Sequence, residues 1–162
     1  MSNSKLIRIA NGQGFWGDSI QAPIDLVNRS EIDYLTLDYL AEVTMSIMQR
    51  QKARNSKLGY ATDFPLLVES VKSKLIKKNI KIVTNAGGAN PIECANKIKE
   101  LSPDIITAVV TGDDILSNLS EYMDKGCEFI NMETGEKIDS ILDSICSANV
   151  YIDSFCISKA LK

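Results

Sequence analysis

Ile80-Lys81-Ile82-Val83-Thr84-Asn85-Ala86-Gly87-Gly88-Ala89-Asn90-Pro91-Ile92-Glu93 is the stretch that decides the fold class. A short β-branched run, Ile80–Val83, passes through a Gly/Asn loop into a helix start. Asn90 stands at the N-cap, Pro91 at the first helical position and an acid three residues after the cap. Ile92, Ala95, Ile98 and Leu101 then recur at helical spacing as the expected buried face. Strand, glycine loop and helix in that order form half of a parallel βαβ unit.

The same alternation continues on both sides. Further strands are expected at Leu6–Ala10, Tyr34–Leu37 and Ile105–Val110, with a weaker one at Ile145–Ala148. Ile80–Val83 and Ile105–Val110 are nearly free of charge, as strands covered on both faces would be. Between them, Phe64, Leu67, Val68, Val71 and Leu75 mark one helix, introduced by Asp63 and Pro65. Leu40, Val43 and Ile47 mark another, and Ile20, Ile24 and Val27 a third, with Pro23 near its start. Asp113 and Asp114 precede Ile115, Leu116, Leu119 and Met123. Gly126–Ile138 follows neither period and reads as an irregular insertion. The expectation is one α/β domain over residues 1–162: a three-layer, mostly parallel sheet with helices on both faces, Rossmann-like, joined by right-handed crossovers.

Composition narrows the function classes. The 162 residues are 44% hydrophobic and 24% charged, enough for a packed core without metals or disulfides. Eighteen Lys and Arg against 21 Asp and Glu give a net charge of −3, with no basic excess for nucleic acid or an anionic membrane surface. There is no histidine. Histidine zinc sites and Ser-His or Cys-His catalysis are therefore excluded unless another chain supplies the imidazole. Cys94, Cys127, Cys146 and Cys156 form no C-x-x-C pair. Met1–Lys5 lacks an apolar leader core, and no apolar run approaches the roughly 20 residues of a membrane span. Reduced cysteines and a cytoplasmic location are expected.

Ligands of open parallel sheets bind beyond the carboxyl ends of the strands, so the loops there are the candidate site. The first contains G-x-G-x-x-G, Gly12, Gly14 and Gly17, after Asn11, with Asp38 21 positions past Gly17. That is the spacing of a dinucleotide loop and its ribose acid. Trp16 beside Phe15, and Asp18 at the helix entrance, oppose that reading, because a phosphate would sit where Asp18 puts a negative charge. The second loop, Asn85 to Asn90 with Gly87 and Gly88, is the better anion cradle. Thr111, Gly112, Asp113 and Asp114 follow the fourth strand, and Asn149 the fifth. Asp18, Asp38, Glu42, Asp113 and Asp114 are the carboxylates available for a hard cation or for proton transfer, and helix capping competes for the last two.

Several of these motifs together carry a resemblance. Gly14-Phe15-Trp16-Gly17-Asp18, Asp33-Tyr34-Leu35 with Asp38-Tyr39-Leu40-Ala41-Glu42, and Gln49-Arg50-Gln51 with Arg54 resemble the AtuA-like acyclic terpene utilisation family. So do Leu58-Gly59-Tyr60-Ala61 with Asp63-Phe64, Thr84 through Pro91, Val110 through Asp114 and Ser147 through Tyr151. The matches run in family order from about residue 7. The resemblance implies bacterial breakdown of acyclic terpenes through acyl-CoA intermediates. It implies a substrate that is a carboxylated or CoA-linked branched acyl compound. Family members are longer, so the matched part is expected to be the N-terminal portion of the family fold. Ser154-Phe155-Cys156 departs from the family's usual small-aromatic-proline stretch.

In that setting Asp38, Glu42 and Asp113 are the candidate catalytic residues. Asn11, Gly12, Gly14, Trp16, Gly17, Asp18, Tyr39, Asn85, Gly87, Gly88, Asn90, Thr111, Gly112 and Asn149 are the candidate ligand-binding residues. No metal or cofactor is assigned. The expected partners are a small-molecule substrate, acyl-CoA among the options, and either a second copy or another chain covering the last helix. Nucleic acid and membrane are not expected. A non-catalytic subunit and a nucleotide-binding Rossmann-like module are the alternatives.

Overall fold

The computed structural model describes residues 6–162; Met1–Lys5, read above for a leader, lie outside them. In chain order the elements are β1 (Ile9–Gln13), α1 (Gln21–Arg29), β2 (Tyr34–Leu37), α2 (Glu42–Arg54), α3 (Asp63–Lys78), β3 (Lys81–Thr84) and α4 (Pro91–Leu101). A 3-10 turn, Leu116–Asn118, leads into α5 (Leu119–Asp124). A 3-10 stretch, Ile138–Ser144, and α6 (Ser154–Ala160) complete the chain.

The three strands form one parallel sheet in the order β1-β2-β3, with Leu35 between Ala10 and Ile82. Sequential order with right-handed crossovers places α1 and α3 on the same face. They pack on each other there, and α4 packs on α3. Side chains alternate across a strand, so Leu35 and Leu37 of β2 point into this helical cover and are buried, while Tyr34 and Thr36 face the other way and are half-buried. The core consists of these leucines with Val27, Phe64, Leu67, Val68, Val71, Leu75, Cys94 and Ile98. Every apolar position expected on α3 is in it. Burying each such side chain is worth about 1.5–3 kcal/mol, which makes α3 the central prop of the sheet.

The sequence expectation and the structure part at four places. The first strand starts later than Leu6 and runs on to Gln13, with a break in register between Asn11 and Gln13. Gly12 fits that break because a Cβ there would lie 2.9 Å from both Leu37 Cδ2 and Pro23 Cβ. Ile105–Val110 makes no ladder: Ile105 leans on the core, but Ile106 is 99% exposed. Strand preference expresses packing against a pleated neighbour, and this run has none. Ile145–Ala148 likewise stays outside the sheet, flanked by a single antiparallel bridge between Asp114 and Asn149.

The fourth difference is helix orientation. In α2 the buried residues are Met48 and Gln49, whereas Val43 and Ile47 are exposed. In α4 Cys94 and Ile98 are buried and Ile92 is exposed. The face of Tyr34 carries little cover: Lys81, the cross-strand partner of Tyr34, donates from Nζ to the Leu161 carbonyl oxygen just after α6 at 2.9 Å. Gly126–Ile138 is irregular as expected, closed by one bridge between Ile130 and Lys137.

Candidate functional site

The carboxyl ends of β1, β2 and β3 deliver Gln13, Asp38 and Asn85 to one edge of the sheet. Asn85 joins them. Its Oδ1 accepts from the Tyr39 amide at 2.8 Å and its Nδ2 donates to Asp38 Oδ1 at 2.7 Å. Asp38 Oδ1 also accepts from the Leu40 amide at 3.1 Å, and the Asp38 amide donates to the Gln13 carbonyl oxygen at 3.2 Å. Asp38 is exposed, so an oriented carboxylate faces solvent at the middle strand.

Beside it, the Gly14–Asp18 loop is held down by Trp16, whose indole Nε1 donates to Asp63 Oδ1 at the start of α3 at 2.9 Å. A hydrogen bond to a charged acceptor contributes about 1.5–3 kcal/mol. Gly17 adopts φ +102°, open to a residue without Cβ. The amides at the two ends of this loop are taken by the chain's own carboxylate. Gly14 N donates to Asp18 Oδ2 at 3.2 Å and Ser19 N to Asp18 Oδ1 at 2.7 Å, so the chain's own carboxylate fills the anion seat.

The Gly87-Gly88 loop is internally crowded. A Cβ on Gly87 would lie 2.7 Å from Pro91 Cβ, and one on Gly88 would collide with Met48 Sδ. Gly88 N donates to Asn85 O, and Asn90 N to Gly87 O. Asn90 gives both amide protons to the Ser56 and Leu58 carbonyls at 2.8 Å, and Lys52 Nζ donates to Ala89 O at the same distance. Gly88 permits close packing of α2 on the loop, and Gly87 permits its close approach to Pro91 at the start of α4. The close backbone approach expected of a ligand is made here by the fold itself.

The remaining candidates form a second group. Asp113 Oδ2 accepts from Asn149 Nδ2 at 3.0 Å. Asp114 accepts from the Leu116 amide, as a cap does, and from Gln49 Nε2 at 3.1 Å. Thr111 and Gly112 are exposed beside them. Glu42 opens α2 with an exposed carboxylate, and Asn11 lies on β1, where its Oδ1 is 3.4 Å from Thr36 Oγ1. No hydrogen bond among the described residues links Asp113 or Glu42 to the Asp38–Asn85 pair. Nor do three Asp, Glu or Cys side chains converge there as a metal site would require.

Sequence reading did not single out Gln13 and Asp63 as site residues. Gln13 Oε1 and the Tyr39 hydroxyl are buried without a well-formed hydrogen bond among the described residues, and the Gln13 side chain lies close enough to act on the Tyr39 hydroxyl. The Tyr39 ring meets Phe64 edge to face at 6.0 Å. Burial, and then the negative charge of Asp63, push the Tyr39 hydroxyl above its ordinary range. The signal for Gln13 was its place at a strand end on the core side, where an apolar residue is the rule.

A three-stranded parallel sheet with helices between its strands defines the class: an α/β protein. Its family follows from comparison with family models. Residues 7–162 match the model described as acyclic terpene utilisation family protein AtuA, and the chain belongs to that family. Comparison with curated proteins and with solved structures gives no match. Among the described residues no helix is long and apolar enough to cross a membrane.

Proposed function

We propose that this chain is a terpene-catabolic enzyme, or the N-terminal part of one, which binds a carboxylated or CoA-linked branched acyl substrate at the carboxyl edge of its sheet. The observation that carries the reading is the tie from Asn85 after β3 to Asp38 and Tyr39 after β2, with the Asp38 amide bonded to Gln13 O on β1 and the Asp38 carboxylate oriented toward solvent beside the Trp16 loop. Asp38 would take a proton from the substrate, Asn85 would hold its carboxylate in place, and Trp16 would form an apolar wall. Glu42 and Asp113 are too weakly connected to that pair to share its step without a rearrangement.

The nucleotide-binding alternative loses support because Asp18 occupies the phosphate position. The subunit alternative keeps one specific observation: Ile7, Ile9, Tyr151 and Phe155 are all more than half exposed, a surface that a second copy or another chain would cover.

The test is a thermal-shift titration of the protein and of Asp38→Asn with 3-methylcrotonyl-CoA and 3-methylcrotonate. A site ligand at a hundredfold excess over Kd stabilises by about 2.7 kcal/mol. Saturable stabilisation of the protein, weakened in the folded variant, supports the reading. No stabilisation by either compound contradicts it.

A further inference from the structure

Tyr34 and Lys81 open β2 and β3, at the end of the strands opposite Asp38 and Asn85. With Ile9 they form one cross-strand row on the face turned away from α1 and α3. α6 stands over this row without closing on it. A cleft of about 420 Å³ remains between Tyr34 and Ser154, Ile157, Ser158, Leu161 and Lys162, the size of a small-molecule site. Ser154, Ile157, Ser158 and Leu161 follow one another at helical spacing, so α6 and the residue after it present a single face to the cleft. That face mixes hydrocarbon, from Ile157 and Leu161, with the two serine hydroxyls.

The charge around the cleft is one-sided. Lys162 lines it, and Lys81 reaches its wall, donating from Nζ to the Leu161 carbonyl oxygen at 2.9 Å. An ammonium carries three protons, so that bond leaves two for another acceptor. Among the described residues no Asp or Glu lines the cleft. The acids nearest in sequence are engaged elsewhere: Asp33 accepts from the Arg8 amide at 2.8 Å, and Asp153 from the Phe155 amide at 2.9 Å. A cleft with only basic side chains, in a chain of net charge −3, selects an anion. A bare inorganic anion would leave Ile157 and Leu161 uncovered, whereas an anion with a hydrocarbon stem covers them.

We propose that the cleft between Tyr34 and α6 is a second binding site, which takes a small apolar carboxylate. The hydrocarbon lies on Ile157 and Leu161, and the carboxylate meets the Lys81 and Lys162 ammonium groups. This site lies at the other end of the strands from Asp38 and is independent of the carboxyl-edge reading above. A ligand there bridges α6 and the sheet.

The experiment is an amide chemical-shift titration with octanoate, octan-1-ol and octylammonium, on the protein and on Lys81→Gln and Ile157→Glu. The expected result is a saturable change at Tyr34, Lys81 and Ser154–Lys162 with octanoate. The alcohol and the cation lack the charged hydrogen bond and should bind about tenfold more weakly or worse. Lys81→Gln should weaken octanoate binding to a similar extent. That variant also loses the bond to Leu161, so Ile157→Glu is the second one. It puts a carboxylate into the cleft from a position 39% exposed, and should abolish binding while keeping its urea midpoint. Absence of octanoate shifts at these amides, equal binding of the alcohol or the cation, or undiminished octanoate binding by folded Ile157→Glu overturns the proposal. Each of these results leaves the carboxyl-edge reading in place, because that site is read at Asp38–Leu40.

Discussion

At Gly88 the chain adopts φ +49°, and the space a Cβ would need is held by Met48 Sδ, with Gly59 O at 3.2 Å. Gly88→Ala should therefore destabilise by about 2–4 kcal/mol, from left-handed backbone strain and overpacking together; a urea melt checks it, and an unchanged midpoint would refute the packing role. Cys94 supplies a pH prediction. Burial raises its thiol to about 12 from an ordinary 9.0. Between those values the unfolded chain loses the proton and the folded chain keeps it, so stability falls as pH rises. Urea midpoints should be flat from pH 6 to 8 and decline from 9 towards 12, with a shallower decline in Cys94→Ala. Cys146 moves the other way. The Ser46 hydroxyl at 3.5 Å, and after it the Arg50 charge, hold its exposed thiol below the usual range. Cys146 should react with a disulfide reagent at pH 7 faster than exposed Cys127, and Arg50→Ala should remove part of the difference.

The strand–loop–helix units were legible in the sequence where local chemistry and packing agree. Tyr34–Leu37 forms β2 at those residues, β3 is displaced from its expected span by one, and Pro91 opens α4. The apolar spacing of α3 gave its buried face in full because a helix packed on a sheet and on two other helices has its orientation fixed. On α2 the apolar stripe misled. Gln49 is buried through its bond to Asp114 and Met48 fills the space over Gly88, so polar pairing and a glycine gap set the rotation in place of Val43 and Ile47. Ile105–Val110 shows the limit most clearly, since five β-branched residues in a run of six make no strand without a neighbour. Amides of Thr107–Val109 should exchange with solvent at least a hundredfold faster than those of Leu35 and Thr36. Comparable protection would show that the run is paired.

At the scale of the molecule, the sheet ends on one side at β1, with Ile9 67% exposed, and on the other at β3. Open parallel edges and exposed apolar side chains favour association, and sedimentation at micromolar concentration should show more than monomer; a clean monomer would count against a covered edge. The grouping of residues at the candidate edge was partly legible. Asp38, Asn85, Trp16 and Tyr39 are brought to the same sheet edge, because the rule for parallel sheets fixes where strand ends meet. The distribution of roles was not legible, because Asp18, Gly87, Gly88 and Asn90 turned inward to satisfy the fold's own amides and contacts, and no spacing in the sequence announces that. The central claim, a ligand site at the carboxyl edge, is tested most directly by mapping backbone amide chemical shifts during titration with 3-methylcrotonyl-CoA. Shifts clustered at Gly14–Asp18, Asp38–Leu40 and Asn85–Ala86 are the predicted result. Shifts confined to the cleft between Tyr34 and α6, or none at saturating ligand, would contradict it.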